Sequence, residues 1–180
     1  GRIVAFCIYR LDCIQTERTK QDNTPERAMP EGHTVHRIAI DHTRDFVGQK
    51  VKLESPQGRF SEEAKKLTGK QLKSVSAHGK HLCYEFPAGR IVHIHLGLYG
   101  KFHPHKTPPP EPRGAVRLRL VGKEKAFDLN GPNRCELIAK ADWTKIRERL
   151  GPDPLRDDAD PEGVWARIKK TKQAIGKLLM

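Results

Sequence analysis

Apolar positions recur at helical spacing near the start of the regular part of the chain. Val35, Ile38, Ala39, His42 and Phe46 follow one another every three or four residues, and Gly48 stands just beyond them. That pattern predicts a helix opening at Glu31 and stopped by Gly48, with Glu31 and Thr34 suited to its first turn. Ser61–Leu67 predicts a second, short helix. The period then changes to that of strands. Gln71–Ser76, His81–Phe86, Arg90–Leu96, Tyr99–His103, Ala115–Val121, Lys125–Leu129 and Arg134–Ile138 are short and rich in apolar and branched residues. Pro87-Ala88-Gly89 and Asn130-Gly131-Pro132 supply turns between them. Pro104–Arg113 holds five prolines in ten residues, which predicts a loop. Asp142–Arg149, Pro161–Lys170 and Lys172–Met180 predict helices again. The expected class is mainly β with flanking helices: an N-terminal helix on a two-layer β-sandwich of about eight strands, followed by linker helices.

Residues 1–28 fit neither period. Thr16–Ala28 is polar and turn-rich, so this stretch reads as an extension or a translated upstream segment outside the fold. The expected organisation is therefore an extension over 1–28, a β-sandwich domain over 29–140, and linker helices leading into a further domain over 141–180. Charge divides at the same place. The chain carries 34 Lys and Arg against 22 Asp and Glu, a net charge of +12. Residues 1–28 hold five basic and four acidic residues; the remaining 29 and 18 leave +11 on residues 29–180. Such a surplus concentrates polyanions and speeds their encounter, so nucleic acid is the first partner to consider.

Other classes fall away. No run approaches the roughly 20 apolar residues of a spanning helix. Cys7, Cys13, Cys83 and Cys135 include no CxxC pair, so they predict neither a zinc knuckle nor a redox motif, and no disulfide framework or signal peptide is legible. A cytoplasmic, nucleoid-associated monomer is the expectation. His93 and His95 share a strand face and His103 and His105 flank Pro104, without a carboxylate or cysteine at ligand spacing. They predict structural or phosphate-facing histidines rather than a metal site.

The informative motif is Met29-Pro30-Glu31-Gly32-His33-Thr34. Removal of an initiator Met before proline leaves a secondary amine, a good nucleophile toward a sugar C1′ that forms an iminium and divides one hard step into two easier ones. A neighbouring carboxyl, Glu31, can protonate the ring oxygen and shuttle protons. From Met29 to Met180 the chain resembles the formamidopyrimidine-DNA glycosylase / endonuclease VIII family, whose signature is a Pro-Glu-Gly start. His78-Gly79-Lys80-His81-Leu82, His95-Leu96-Gly97-Leu98-Tyr99-Gly100, Leu150-Gly151-Pro152-Asp153-Pro154-Leu155 and Lys172–Met180 resemble further family motifs in the same order.

The resemblance implies a glycosylase and abasic-site lyase working on double-stranded DNA that carries oxidised bases or abasic sites. Pro30 would form the Schiff base, Glu31 would be the general acid, and Lys80 would contact phosphate and assist elimination. Leu98 and Tyr99 would wedge into the base stack, while Arg149 and, less directly, Arg113 would contact phosphate. No cofactor is implied in this chain; the family's structural zinc would be held by residues beyond Met180. Where the 8-oxoguanine branch has Asp-Pro-Arg-Arg-Phe-Gly, this chain has Asp128-Leu129-Asn130-Gly131-Pro132-Asn133-Arg134-Cys135. That departure leans toward the endonuclease VIII branch and oxidised pyrimidines.

Plainer readings stand beside these. Pro30 and Glu31 suit a first helical turn sterically and electrostatically. Lys80 can be a solvated turn residue, Leu98 and Tyr99 core residues at a strand end, and Arg149 the partner of a neighbouring acid such as Glu148. The rival function is a DNA-binding protein of the same fold that cannot react, because a retained leader makes the Pro30 nitrogen an amide. A basic RNA-binding β-domain is a third reading, disfavoured by the lack of an aromatic stacking platform.

Overall fold

The period-two stretches form strands, and their alternation sorts residues between two faces. The computed structural model describes residues 30–173. Its strands are β1 (Lys52–Glu54), β2 (Ser74–His78), β3 (His81–Phe86), β4 (Arg90–His95), β5 (Lys101–Lys106), β6 (Val116–Val121), β7 (Lys125–Asn130) and β8 (Arg134–Ala139). They build two antiparallel four-stranded sheets, ordered β1-β6-β7-β5 and β2-β3-β4-β8. Leu82, Tyr84 and Phe86 of β3 and Val92 and Ile94 of β4 meet Leu118, Leu120, Phe127 and Leu129 from the other sheet in one buried core. The expected two-layer, mainly β class is what forms.

Helix α1 (Gly32–Phe46) covers the sandwich with the predicted face, burying Val35, Ala39, His42 and Phe46. His42 ties it to both sheets: Nδ1 lies 2.6 Å from the Tyr84 hydroxyl of β3, and the ring stacks on Phe127 of β7 at 4.6 Å. Helix α2 (Ser61–Leu67) matches its prediction. Helix α3 (Lys140–Leu150) packs Trp143 on a smaller apolar cluster with Cys83 and Ile91, against the opposite face of the second sheet. Helix α4 (Pro161–Lys170) starts at Asp160, whose side chain accepts from the Gly163 N–H, a standard N-cap bond.

Four expectations need correction. The three-residue β1, paired with β6, is too short to show a period and was not anticipated. The first predicted strand of the second sheet lies later, at Ser74–His78, so the turn falls on Gly79-Lys80. Tyr99 belongs to a turn, and β5 begins only at Lys101. Pro104 continues β5 instead of opening a loop. Among the described residues β5 pairs only with β7, and an edge strand tolerates a residue without an N–H. The extension over 1–28, with Cys7 and Cys13, lies outside the described residues, as does the helix expected over Lys172–Met180 from residue 174 on. The described Cys83 and Cys135 are free and buried. No described helix is long and apolar enough to cross a membrane.

Candidate active site

Glu31 is the N-cap residue of α1, yet its side chain makes no capping bond. It reaches instead to Lys80, whose Nζ lies 2.8 Å from Glu31 Oε1. Two turns of chain meet here. A Cβ on Gly32 would stand 3.6 Å from the Gly79 carbonyl oxygen, so the helix start lies in contact with the β2–β3 turn. Gly79 takes φ +55°, which bends the chain tightly enough to present Lys80 beyond the strand ends. The Lys80 side chain is 46% exposed, and its ammonium faces a carboxyl 49 residues away in sequence.

Pro30, Thr34, Ile38, Leu96, Leu98 and Phe102 line a groove of about 510 Å³ between α1 and the start of β5. The structure thus brings Pro30 and Leu98 to one cavity. Leu98 is 60% exposed and Tyr99 78% exposed, so neither is a core residue. Their turn is held from beneath. Gly97 has φ +65°, and a Cβ there would lie 2.8 Å from the Asn133 Cβ, while a Cβ on Gly131 would lie 3.3 Å from the Tyr99 carbonyl oxygen. The Leu98-Tyr99 turn and the Asn130–Asn133 turn therefore pack against each other, and glycine is what permits the approach.

Arg113 is exposed and lies by a second cavity of about 420 Å³ with His105, Asp128 and Asn130. Its carbonyl accepts from the Asn130 side chain at 3.1 Å, which fastens the proline-rich loop to the same end of the sandwich as Tyr99. Arg149 is exposed in the last turn of α3 and forms no ion pair with Glu148. It does not line the Pro30 groove.

The histidines also find partners that spacing along the chain did not reveal. His81 Nδ1 and His93 Nε2 are 2.8 Å apart, and His93 Nδ1 is 3.0 Å from Glu136 on the neighbouring strand β8. A carboxylate accompanies His93 through cross-strand register, a neighbour that ligand spacing along the chain does not report. Burial, followed by the adjoining His93 and His95, pushes His81 down to about 4. His105 lies 3.1 Å from Asp128, which forms a buried two-bond ion pair with Arg119 at 2.6 and 2.7 Å. Among the described residues no three of these side chains converge as a metal site.

Residues 29–135 match the formamidopyrimidine-DNA glycosylase N-terminal domain. The chain belongs to this family. It is similar to endonuclease 8 1 of Mycobacterium tuberculosis and of Mycobacterium bovis, each 50% identical over 156 residues. The match takes in 84% of this chain and 58% of each relative, so the chain spans under two thirds of their length. Formamidopyrimidine-DNA glycosylase of Escherichia coli is 34% identical over 128 residues, covering 67% of this chain and 45% of that protein. Among solved structures, the fold resembles Lactococcus lactis formamidopyrimidine-DNA glycosylase bound to DNA containing N7-benzyl-Fapy-dG. The TM-score is 0.67 at 23% identity, over 83% of this chain and 60% of that one. At that identity the likeness is one of fold. Family membership thus agrees with the resemblance carried by the Pro-Glu-Gly start, and the higher identity lies on the endonuclease 8 side.

Proposed function

We propose that this chain is the catalytic N-terminal part of a DNA glycosylase and abasic-site lyase for oxidised bases, with the amine of Pro30 as nucleophile. The observation that carries the reading is the 2.8 Å pairing of Lys80 with Glu31 immediately beside Pro30. In the proposed reaction the Pro30 nitrogen attacks C1′ and the base leaves with the glycosidic electron pair. Glu31 delivers a proton to O4′, so the sugar ring opens as the iminium forms. Loss of a C2′ proton to water then expels the 3′-phosphate, held by Lys80, and water releases the sugar fragment from Pro30 after this β-elimination or after a further δ-elimination of the 5′-phosphate. The +11 carried by residues 29–180 favours duplex DNA as partner through phosphate neutralisation. Oxidised pyrimidines are the proposed lesions, supported by the Asp128–Cys135 segment and the endonuclease 8 relatives.

Borohydride reduction in the presence of abasic-site DNA tests this directly. A protein beginning at Pro30 should become covalently joined to DNA, and one that keeps residues 1–29 should not, because its Pro30 nitrogen is an amide. Equal trapping of both would remove Pro30 as nucleophile. No trapping by either would favour the non-reactive DNA-binding reading.

The exposed Leu98-Tyr99 turn supplies a second expectation. Truncating a buried leucine costs about 2–5 kcal/mol, whereas Leu98→Ala at this exposure should cost under about 1 kcal/mol. Base eversion costs a few kcal/mol of stacking, and a wedge offsets part of that. Leu98→Ala and Tyr99→Ala should therefore each lower excision from duplex DNA on the order of tenfold, with little change on single strands. Melting temperatures and the duplex-to-single-strand activity ratio check this; an unchanged ratio removes the wedge.

A further inference from the structure

The segment after α3 returns to the reaction centre through one carboxylate. Asp153 is 6% exposed. Its Oδ2 accepts from the Gly79 N–H at 2.7 Å and lies 2.7 Å from His36 Nε2, while Oδ1 accepts from the Leu155 N–H at 2.9 Å. Burial alone would raise the pKa of this carboxyl. The bonds from Gly79, Leu155 and His36 outweigh it and hold the group below the usual carboxylate range. These donors come from three separate parts of the chain. Gly79 immediately precedes Lys80, His36 lies one turn into the helix that Glu31 opens, and Leu155 belongs to the returning segment itself.

Two neighbouring bonds fasten that segment to the same strand end. His78 Nε2 is 2.7 Å from the Gly151 carbonyl, and Arg156 Nη1 donates to the Ala77 carbonyl at 2.9 Å. The Gly79-Lys80 turn and the start of α1, which together form the Lys80–Glu31 pair, are thus both anchored on Asp153. A catalytic pair displaced by about 1 Å can lose on the order of 10²-fold in rate.

We propose that Asp153 is a positioning residue that sets the Lys80–Glu31 geometry and couples it to the segment leading out of the domain. This rests on the reading of Pro30, Glu31 and Lys80 as the reaction centre. Asparagine at this position has one acceptor oxygen where aspartate uses both, so Asp153→Asn must abandon at least one of the three donors.

The test uses the full protein processed to Pro30. At saturating thymine glycol duplex, the single-turnover rate of base excision should fall 10- to 100-fold in Asp153→Asn, with DNA affinity within about threefold of the parent. His36→Leu, which removes one donor and leaves the Gly79 bond, should fall about 3- to 10-fold. A lower melting temperature with an unchanged excision rate in Asp153→Asn would show a purely structural carboxylate and overturn the proposal. If Asp153→Asn fails to fold, a parental rate in His36→Leu overturns it equally. Failure of the parent protein to form a borohydride-trapped adduct on abasic-site DNA would instead strike the assignment of Pro30, and the two failures are told apart by that control.

Discussion

Glu31→Gln is expected to lower base excision from a thymine glycol duplex by roughly 10²–10⁴-fold, the range removed with a general acid. Cleavage at a preformed abasic site should be affected far less. Departure of an intact base needs a proton delivered to O4′ as the ring opens, whereas an open-chain aldehyde condenses with an amine without that step. Folding should barely respond. Glu31 makes no capping bond, and its pair with Lys80 is 44% and 46% exposed on the two sides. An ion pair so exposed contributes at most about 1 kcal/mol, which for a chain of this size moves the melting temperature by less than about 4 °C. Excision, abasic-site cleavage and melting are measured on the same preparation. Full retention of excision would reduce Glu31 to a helix-start residue.

Acid should unfold the domain through its buried histidines, and His42 is one of the two with the largest contributions. Burial pushes its pKa from 6.5 down to about 4, against the opposing pull of Asp45 and Asp41. The folded protein therefore keeps His42 neutral where the unfolded chain takes up a proton. Between those two values the unfolded state binds more protons, so stability falls as pH falls from about 6.5 to about 4. The loss from this one group reaches about 2 kcal/mol at pH 5 and about 3 kcal/mol at pH 4. His81, also held at about 4, and His93 and His95, both lowered chiefly by burial, add in the same direction.

The double variant His42→Phe/Tyr84→Phe isolates the effect. It removes both partners of the 2.6 Å bond together, so no buried hydroxyl is orphaned, and the larger ring takes space that the tyrosine oxygen vacates. Stability at pH 7 should stay within about 1.5 kcal/mol of the parent. The loss between pH 7 and pH 5 should shrink by about 2 kcal/mol. Urea unfolding at the two pH values reads this out, and an unchanged acid slope would assign the titration elsewhere.

What the sequence by itself determined is the information carried by near neighbours. The three- and four-residue spacing of Val35, Ala39, His42 and Phe46 specified α1 and its buried face, because a helix turns in 3.6 residues whatever surrounds it. Alternation and glycine- or proline-bearing turns marked most strands for the same local reason. The Pro-Glu-Gly start and the ordered motifs after it carried the family. Tertiary structure decided everything that needed two distant stretches at once. It showed that Pro104 could stay in a strand, since only the sheet order makes β5 an edge. It exposed Leu98 and Tyr99, whose apolar character alone suited a core equally well. It supplied Glu136 to His93 through strand register, and it paired Lys80 with Glu31 by laying the β2–β3 turn on the start of α1. Asp153 was the residue least legible beforehand, within a motif noted only for its resemblance. Its bond to Gly79 spans 74 residues, and no local period reports where a chain will return after two sheets have closed.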